Sequence, residues 1–294
     1  MRTFLPEDLS IKNWAQIETY FEDLNTRAID SVEDLKKWMQ DRSELEAVLE
    51  ENMAWRYIKM NIDTTDPELQ KSFQFFVQNI SPKIAPYAHG LNTKLMNSKH
   101  LKDLDSAYYF IYLRDIKNAI YLYREENIPL FTELTNKAQK FGEISAQMMV
   151  QVDGKDQTLQ QASVHLKSID RDKRKAVFEL INARRAEDQT SLDILLDELI
   201  AKRQELARNA NFENFRDYKF QAMGRFDYTK EDCFDFHTSI EKEIVPLIAD
   251  IHKERKILLG VEVLKPWDMQ VDPNGNEPLK PFDGGEDLLD KCIA

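Results

Sequence analysis

Glycine is scarce in this chain, and that scarcity limits its fold more than any other feature. Only 8 of the 294 residues are Gly, and none precedes Gly90. Sheets joined by tight turns need many positions with φ > 0, which glycine alone adopts cheaply, so helices are expected throughout. The 42% hydrophobic and 31% charged residues give the balance of a globular chain. Its length allows one large domain or two ordinary ones with sizeable cores.

The formal net charge of -12 argues against nucleic acid, whose binding needs Lys and Arg to neutralise phosphates. Met1 is followed at once by charged residues, without the apolar segment of a secretion signal. The longest apolar run, 107–113, falls far short of the roughly 20 residues that cross a bilayer. Cys233 and Cys292 are the only cysteines and lie far apart, which suits reduced thiols better than a disulfide scaffold. A cytoplasmic protein with no membrane and no nucleic-acid partner is expected.

Helix signals recur along the chain. Ser10 reads as the cap of a helix bearing Trp14, Ile17, Phe21 and Leu24 at helical spacing. Ser31 with Asp34, and Asp66 before Pro67, read as further starts. Pro82 and Pro86 are expected to kink or end the third helix, since each removes an amide donor. The aromatic-rich stretch 101–123 reads as a buried helix, its phenols reaching polar edges. A helix from near Pro129 to about Val150 leads to Asp153 and Gly154, a turn that suits a short hairpin, and Thr158 with Gln161 forms a capping box. Ser168, Ile169 and Asp170 start a helix whose Arg171, Lys173, Arg174 and Lys175 are mixed with acids, the pattern of a solvated face.

Leu192, Leu195, Leu199 and Leu206 mark an amphipathic helix. Thr229 with Asp232 reads as the cap of the next, which is expected to kink at Pro246. Residues 261–264 and 269–271 suit short strands or extended segments, and Asp272, Pro273, Asn274 and Gly275 form a turn signal. No repeat of fixed period is evident.

Chemistry-bearing patterns are sparse. His89, His100, His165, His237 and His252 include no His-Glu-x-x-His, the arrangement that sets two imidazoles on adjacent turns of one helix face. Cys233, His237 and Glu241 share a face at i, i+4 and i+8, but no further ligand is indicated, and a thiol beside a surface His–Glu pair is the plainer reading. Gly284 and Gly285 read as a loop entering a helix rather than a phosphate cradle. No Gly-x-Ser-x-Gly elbow occurs.

Several segments, taken in order, do resemble a known family. They are Val152 to Lys155 with Thr158 and Leu159; Ser168, Ile169, Asp170, Arg171 and Arg174; and Arg203, Leu206, Ala207 and Asn214 with Arg216, Asp217 and Tyr218. Gly224, Arg225, Asp227 and Tyr228 continue the series, and Val245 to Leu247 and Leu264 to Asp268 complete it. Together they are similar to the amino-terminal half of zinc metallopeptidases of the oligoendopeptidase F and thimet oligopeptidase type. The resemblance implies a mainly α fold, a multi-helix array with at most a short β-hairpin or two, forming one wall of a substrate channel. It implies that zinc is held in the parent enzyme by the histidines of His-Glu-x-x-His and a downstream Glu, all beyond these residues. No catalytic or metal residue is therefore assigned here, and no cofactor is expected to be bound by this chain.

The organisation expected is an N-terminal helical region (1–125), a peptidase-F-like helical segment (126–190), and the start of the peptidase domain, truncated before the zinc motif (191–294). Its partners would be short peptides, through the full enzyme, and the missing C-terminal catalytic half. The chain alone is expected to be inactive. Tyr218, Arg225 and Tyr228 are candidate channel-facing residues, with a connector role, fixing neighbouring helices by packing, as the plainer reading. The alternative to a peptidase half is a stand-alone α-helical protein that binds a peptide or partner without catalysis.

Overall fold

A computed structural model describes residues 2–293, and helix dominates it. The chain forms two compact units, each built from two stretches of sequence: residues 1–143 with 194–229, and residues 144–193 with 230–294.

The first unit opens with α1 (Ala15–Thr26) and α2 (Val32–Ile62). Ser10 does not cap α1. Asn13 accepts the Gln16 amide through Oδ1, and Gln16 Oε1 accepts the amides of Lys12 and Asn13, so the helix begins four residues later than its serine suggests. Ile17, Phe21 and Leu24 of α1 pack with Leu35, Trp38 and Leu45 of α2 in the largest core. Trp38 Nε1 and Lys94 Nζ both donate to the Leu24 carbonyl, each at 2.8 Å, closing the otherwise open C-terminus of α1.

Asp66 caps α3 (Pro67–Phe75), accepting from the Glu68 amide at 2.8 Å. The prolines do not end this helix. A π-turn over Phe76–Ile80, in which the Ser81 amide reaches back to the Phe76 carbonyl, leads straight into α4 (Ser81–Met96). A proline ring normally collides with the carbonyl four residues earlier. The wider π-turn moves that carbonyl aside, so Pro82 is accommodated without ending the helical run.

After a 3₁₀ turn at Leu101–Asp103 comes α5 (Phe110–Leu122), where the expectation of a buried aromatic helix fails. Ile116 is its one buried residue, and Tyr108, Phe110, Ile111 and Tyr121 are exposed. The aromatics are distributed around the helix, and only one side meets the core, through Tyr112, Leu113 and Ile120.

From α6 (Asn127–Ala146) the chain enters the second unit. There β1 (Met149–Val152) and β2 (Lys155–Thr158) pair antiparallel, with Val150 opposite Gln157 and Val152 opposite Lys155. Asp153 and Gly154 both have positive φ (52° and 77°), the geometry of a two-residue hairpin whose twist matches its strands. Thr158 and Gln161 form the reciprocal capping box of α7 (Leu159–Ser163). Val150 and Val152 pack with Val177 and Ile181 of α8 (Arg171–Glu187), which Asp170 caps.

α9 (Gln189–Asn209) and α10 (Phe215–Ala222) return the chain to the first unit. Residues from Lys230 on belong to the second: α11 (Lys230–Ser239), a π-turn at Ile240–Ile244, and α12 (Val245–Leu258). The arrangement before Pro82 recurs before Pro246, each proline being the second residue past its π-turn. Residues 261–264 and 269–271 form no strands; a 3₁₀ turn, Pro266–Asp268, lies between them. Gly275, at φ 76°, donates to the Asp272 carbonyl and closes a turn before α13 (Gly284–Ile293). No helix among the described residues is long and apolar enough to cross a membrane.

Candidate functional site

The most elaborate polar site in the second unit surrounds Asp268. Arg171 and Arg174, three residues apart at the start of α8, project from one helix face. The Asp268 carboxylate, fully out of water, accepts Arg171 as a fork, Nε to Oδ1 at 3.0 Å and Nη2 to Oδ2 at 2.9 Å. It also accepts Arg174 Nη2 at 3.0 Å and the Lys265 amide at 3.0 Å. Paired ionic hydrogen bonds of this kind offset the cost of burying charge. The Arg171 hydrogen bond, against the opposing effect of burial, holds the carboxyl down at about 2.

Arg174 completes the enclosure. Its Nε donates to the Trp267 carbonyl at 2.8 Å, and Nη1 to the carbonyls of Ser168 and Ile169 at 2.8 and 3.0 Å. From α12, Arg255 donates to the carbonyls of Asp268 and Val271. Three guanidiniums thus fasten the 3₁₀ turn that carries Trp267, whose ring lies 5.6 Å from that of Phe178. The solvated basic face expected over 171–175 is corrected here: Arg174 is buried, and only Lys173 and Lys175 keep outward ion pairs, with Asp153 and Glu179. The i, i+3 arginine spacing was a usable signal, but its acidic partner lies 94 residues from Arg174.

In the first unit the connector after α9 is equally fixed. Tyr218 is buried with Leu206, Ala207 and Ala210, its ring edge-on to Phe212 at 5.5 Å. Burial pushes its phenol pKa up, with Arg124 pulling the other way. Arg225 and Tyr228 come together instead on Phe220, the guanidinium 5.4 Å from that ring's centre and the Tyr228 ring edge-on at 5.4 Å. Residues two apart on a helix point in nearly opposite directions, so Tyr218 does not share their group. Asn118 and Gln221 exchange amide hydrogen bonds, to the Gln221 carbonyl at 3.1 Å and to Asn118 Oδ1 at 3.0 Å. Gly224, at φ 65° and with Phe226 within 3.6 Å of an ideal Cβ, makes the bend that follows.

Among the described residues no group of three or more His, Cys, Asp or Glu is placed to hold a metal ion. Cys233 and His237 lie on α11, but Glu241 falls inside the π-turn, which breaks the i, i+4, i+8 register. The described donors do not fit a zinc site.

The arm built from α11, its π-turn and α12 is open to solvent along its apolar face. Phe236, Ile244, Leu247, Ile248 and Ile251 are all exposed, whereas Phe73, Phe76, Val77 and Ile80 of the comparable α3–α4 arm are buried. An apolar run of that extent is uncommon on an isolated globular surface.

Residues 4–123 match the model of the peptidase M3 N-terminal domain, and residues 164–283 match that of peptidase family M3. No curated protein matches the chain. Among solved structures it is similar to a Bacillus anthracis protein designated oligoendopeptidase F, with a TM-score of 0.83 and 23% identity over 94% of this chain and 52% of that one. A second protein so designated gives a TM-score of 0.85 at 23% identity, over 93% of this chain and 48% of the other. PZ peptidase A, solved with an inhibitor, gives 0.83 at 23% identity with the same coverages, 93% and 48%. At that identity the solved structures speak for the fold alone, and the chain spans about half of their length. The two family models, met in succession along the sequence, place the chain in peptidase family M3.

Proposed function

We propose that these residues supply the amino-terminal part, and one channel wall, of a zinc-dependent oligopeptidase that hydrolyses short peptides with metal-activated water. The observation that carries this reading is the match of residues 164–283 to peptidase family M3, over a segment whose α11–α12 face is apolar and uncovered. In this reading the face receives the catalytic half of the enzyme, which brings the zinc and its ligands. When bound, that zinc lowers the pKa of its water to the neutral range. This chain's own contribution is placement: the arginines around Asp268 hold the 3₁₀ turn, and Tyr218, Arg225 and Tyr228 brace the connector. Residues 1–125 and 126–190 then act as helical framework, and 191–294 as the first part of the peptidase domain, in a cytoplasmic enzyme.

Two measurements test the reading. The coding sequence beyond residue 294 is expected to continue in frame to His-Glu-x-x-His; a stop codon directly after Ala294 would leave a helical binding protein instead. The purified 294-residue chain, incubated with zinc and a quenched fluorogenic peptide, is expected to retain no stoichiometric metal and to give no chelator-sensitive cleavage. Metal at one equivalent with such cleavage would overturn the assignment of catalysis to residues elsewhere.

A further inference from the structure

A cavity of about 560 Å³ opens in the first unit between the 3₁₀ turn at 101–103 and α5, apart from every group assigned above. Its volume lies in the range of small-molecule sites. Lys99, Lys102, Arg114 and Lys117 line it, and no carboxylate does, on a chain whose net charge is -12. The rest of the lining is apolar, from Leu101, Leu104, Phe110 and Leu113, and Ser98 and Ser106 add hydroxyls.

Two neighbouring acids have partners outside the lining, and a third pairs with Arg114. Asp103 meets His100 Nδ1 at 3.3 Å, and Asp105 Oδ1 accepts the amides of Ala107 and Tyr108 at 2.9 and 3.1 Å. Asp115 lies beside Gly224, and Asp227 accepts Arg114 Nη1 at 3.0 Å. Arg114 is held rigidly, its guanidinium 4.5 Å from the centre of the Phe226 ring and 5.6 Å from that of Phe110. Its Nε is nevertheless buried without an acceptor. A buried donor left in that condition costs free energy.

We propose that this cavity binds a small organic anion with an apolar body, of the carboxylate or phosphate-ester class. The three lysines are exposed, so their attraction is screened and modest alone. A bare inorganic anion would leave Phe110 and the apolar lining wet, and a neutral hydrocarbon would gain nothing from the lysines. Charge and apolar contact must therefore act together, which selects an amphiphilic anion. The site stands independently of the peptidase reading.

Titration calorimetry on the full chain tests it, with decanoate, decyl phosphate, decanol and inorganic phosphate as probes. Decanoate or decyl phosphate is expected to saturate a single site, and the tighter of the two identifies the headgroup class. Decanol and inorganic phosphate are expected to bind roughly tenfold more weakly or not at all. The exposed pair K102E/K117E, checked for an unchanged Tm, is expected to weaken the amphiphilic anions by roughly tenfold. Absence of binding by both anions, equal binding of decanol, or undiminished binding by the charge-reversed variant would each overturn the proposal. The last result would mean that the probes simply coat exposed apolar surface such as α12.

Discussion

Arg174 and Asp268 lie 94 residues apart in sequence and 3.0 Å apart in space, joined Nη2 to Oδ1 with both side chains buried. The contact ties the start of α8 to the turn before residue 269, and it gives the second unit a single polar centre whose loss should be measurable.

Substituting Asp268→Asn leaves Arg174 buried without a counter-charge, a change that typically costs about 3 kcal/mol. Denaturant unfolding of the variant is expected to show a loss of that order. Arg174→Lys is expected to cost about as much, because an ammonium cannot reach Trp267, Ser168, Ile169 and Asp268 together. Arg171→Lys is expected to cost less, about 1 kcal/mol, since the Arg171 side chain is 45% exposed and water replaces part of its contact. Equal losses at the two arginines would contradict this ranking.

Acid titration supplies an independent check. Asp268 is depressed from 3.8 to about 2, so its ionised form stabilises the folded chain. That contribution is complete above the ordinary carboxylate pKa, declines as the pH falls below about 4, and is gone once the folded group protonates near 2. The stability of the native chain minus that of Asp268→Asn, measured across this window, is expected to shrink toward lower pH. A difference independent of pH would mean that the carboxylate acts through shape rather than charge.

The two π-turns offer a matched pair of sites. Ile80 and Ile244 each end one, but Ile80 is fully buried and Ile244 is 45% exposed. Ile80→Glu places a carboxylate in the largest core and is expected to unfold the chain. Ile244→Glu is expected to change stability by less than about 0.5 kcal/mol. If Ile244→Glu destabilises comparably, the arm is already covered in solution.

The features legible in the sequence were those whose cause is local. The caps at Ser31, Asp66 and Thr158 each involve residues within three positions, and the hairpin turn needs only Asp153 and Gly154. What stayed hidden depended on distant partners. The aromatics of α5 have the composition of a core helix, yet their exposure is decided by which neighbours cover them. Arg174 has the composition of a surface residue and is buried because Asp268, Trp267 and the carbonyls at 168 and 169 converge on it. Proline argued for a break at Pro82, and a π-turn, which has no simple residue signature, absorbed it.

Neither unit is continuous along the chain, and this bears on the order of events during synthesis. Residues 144–193 leave the ribosome before residues 194–229, which the first unit needs to close. Until then Asn127, 1% exposed in the finished fold, lacks the Leu206 carbonyl to which its Nδ2 donates, and Leu130 lacks the cover of Leu206, Ala207 and Tyr218. A nascent chain must hold that apolar surface open across the emergence of an entire intervening segment, with the loop-closure cost still to be met. The same splice means that a single cut within 144–193 severs both units' wiring at once, so their assembly is coupled by chain order before any side chain makes contact.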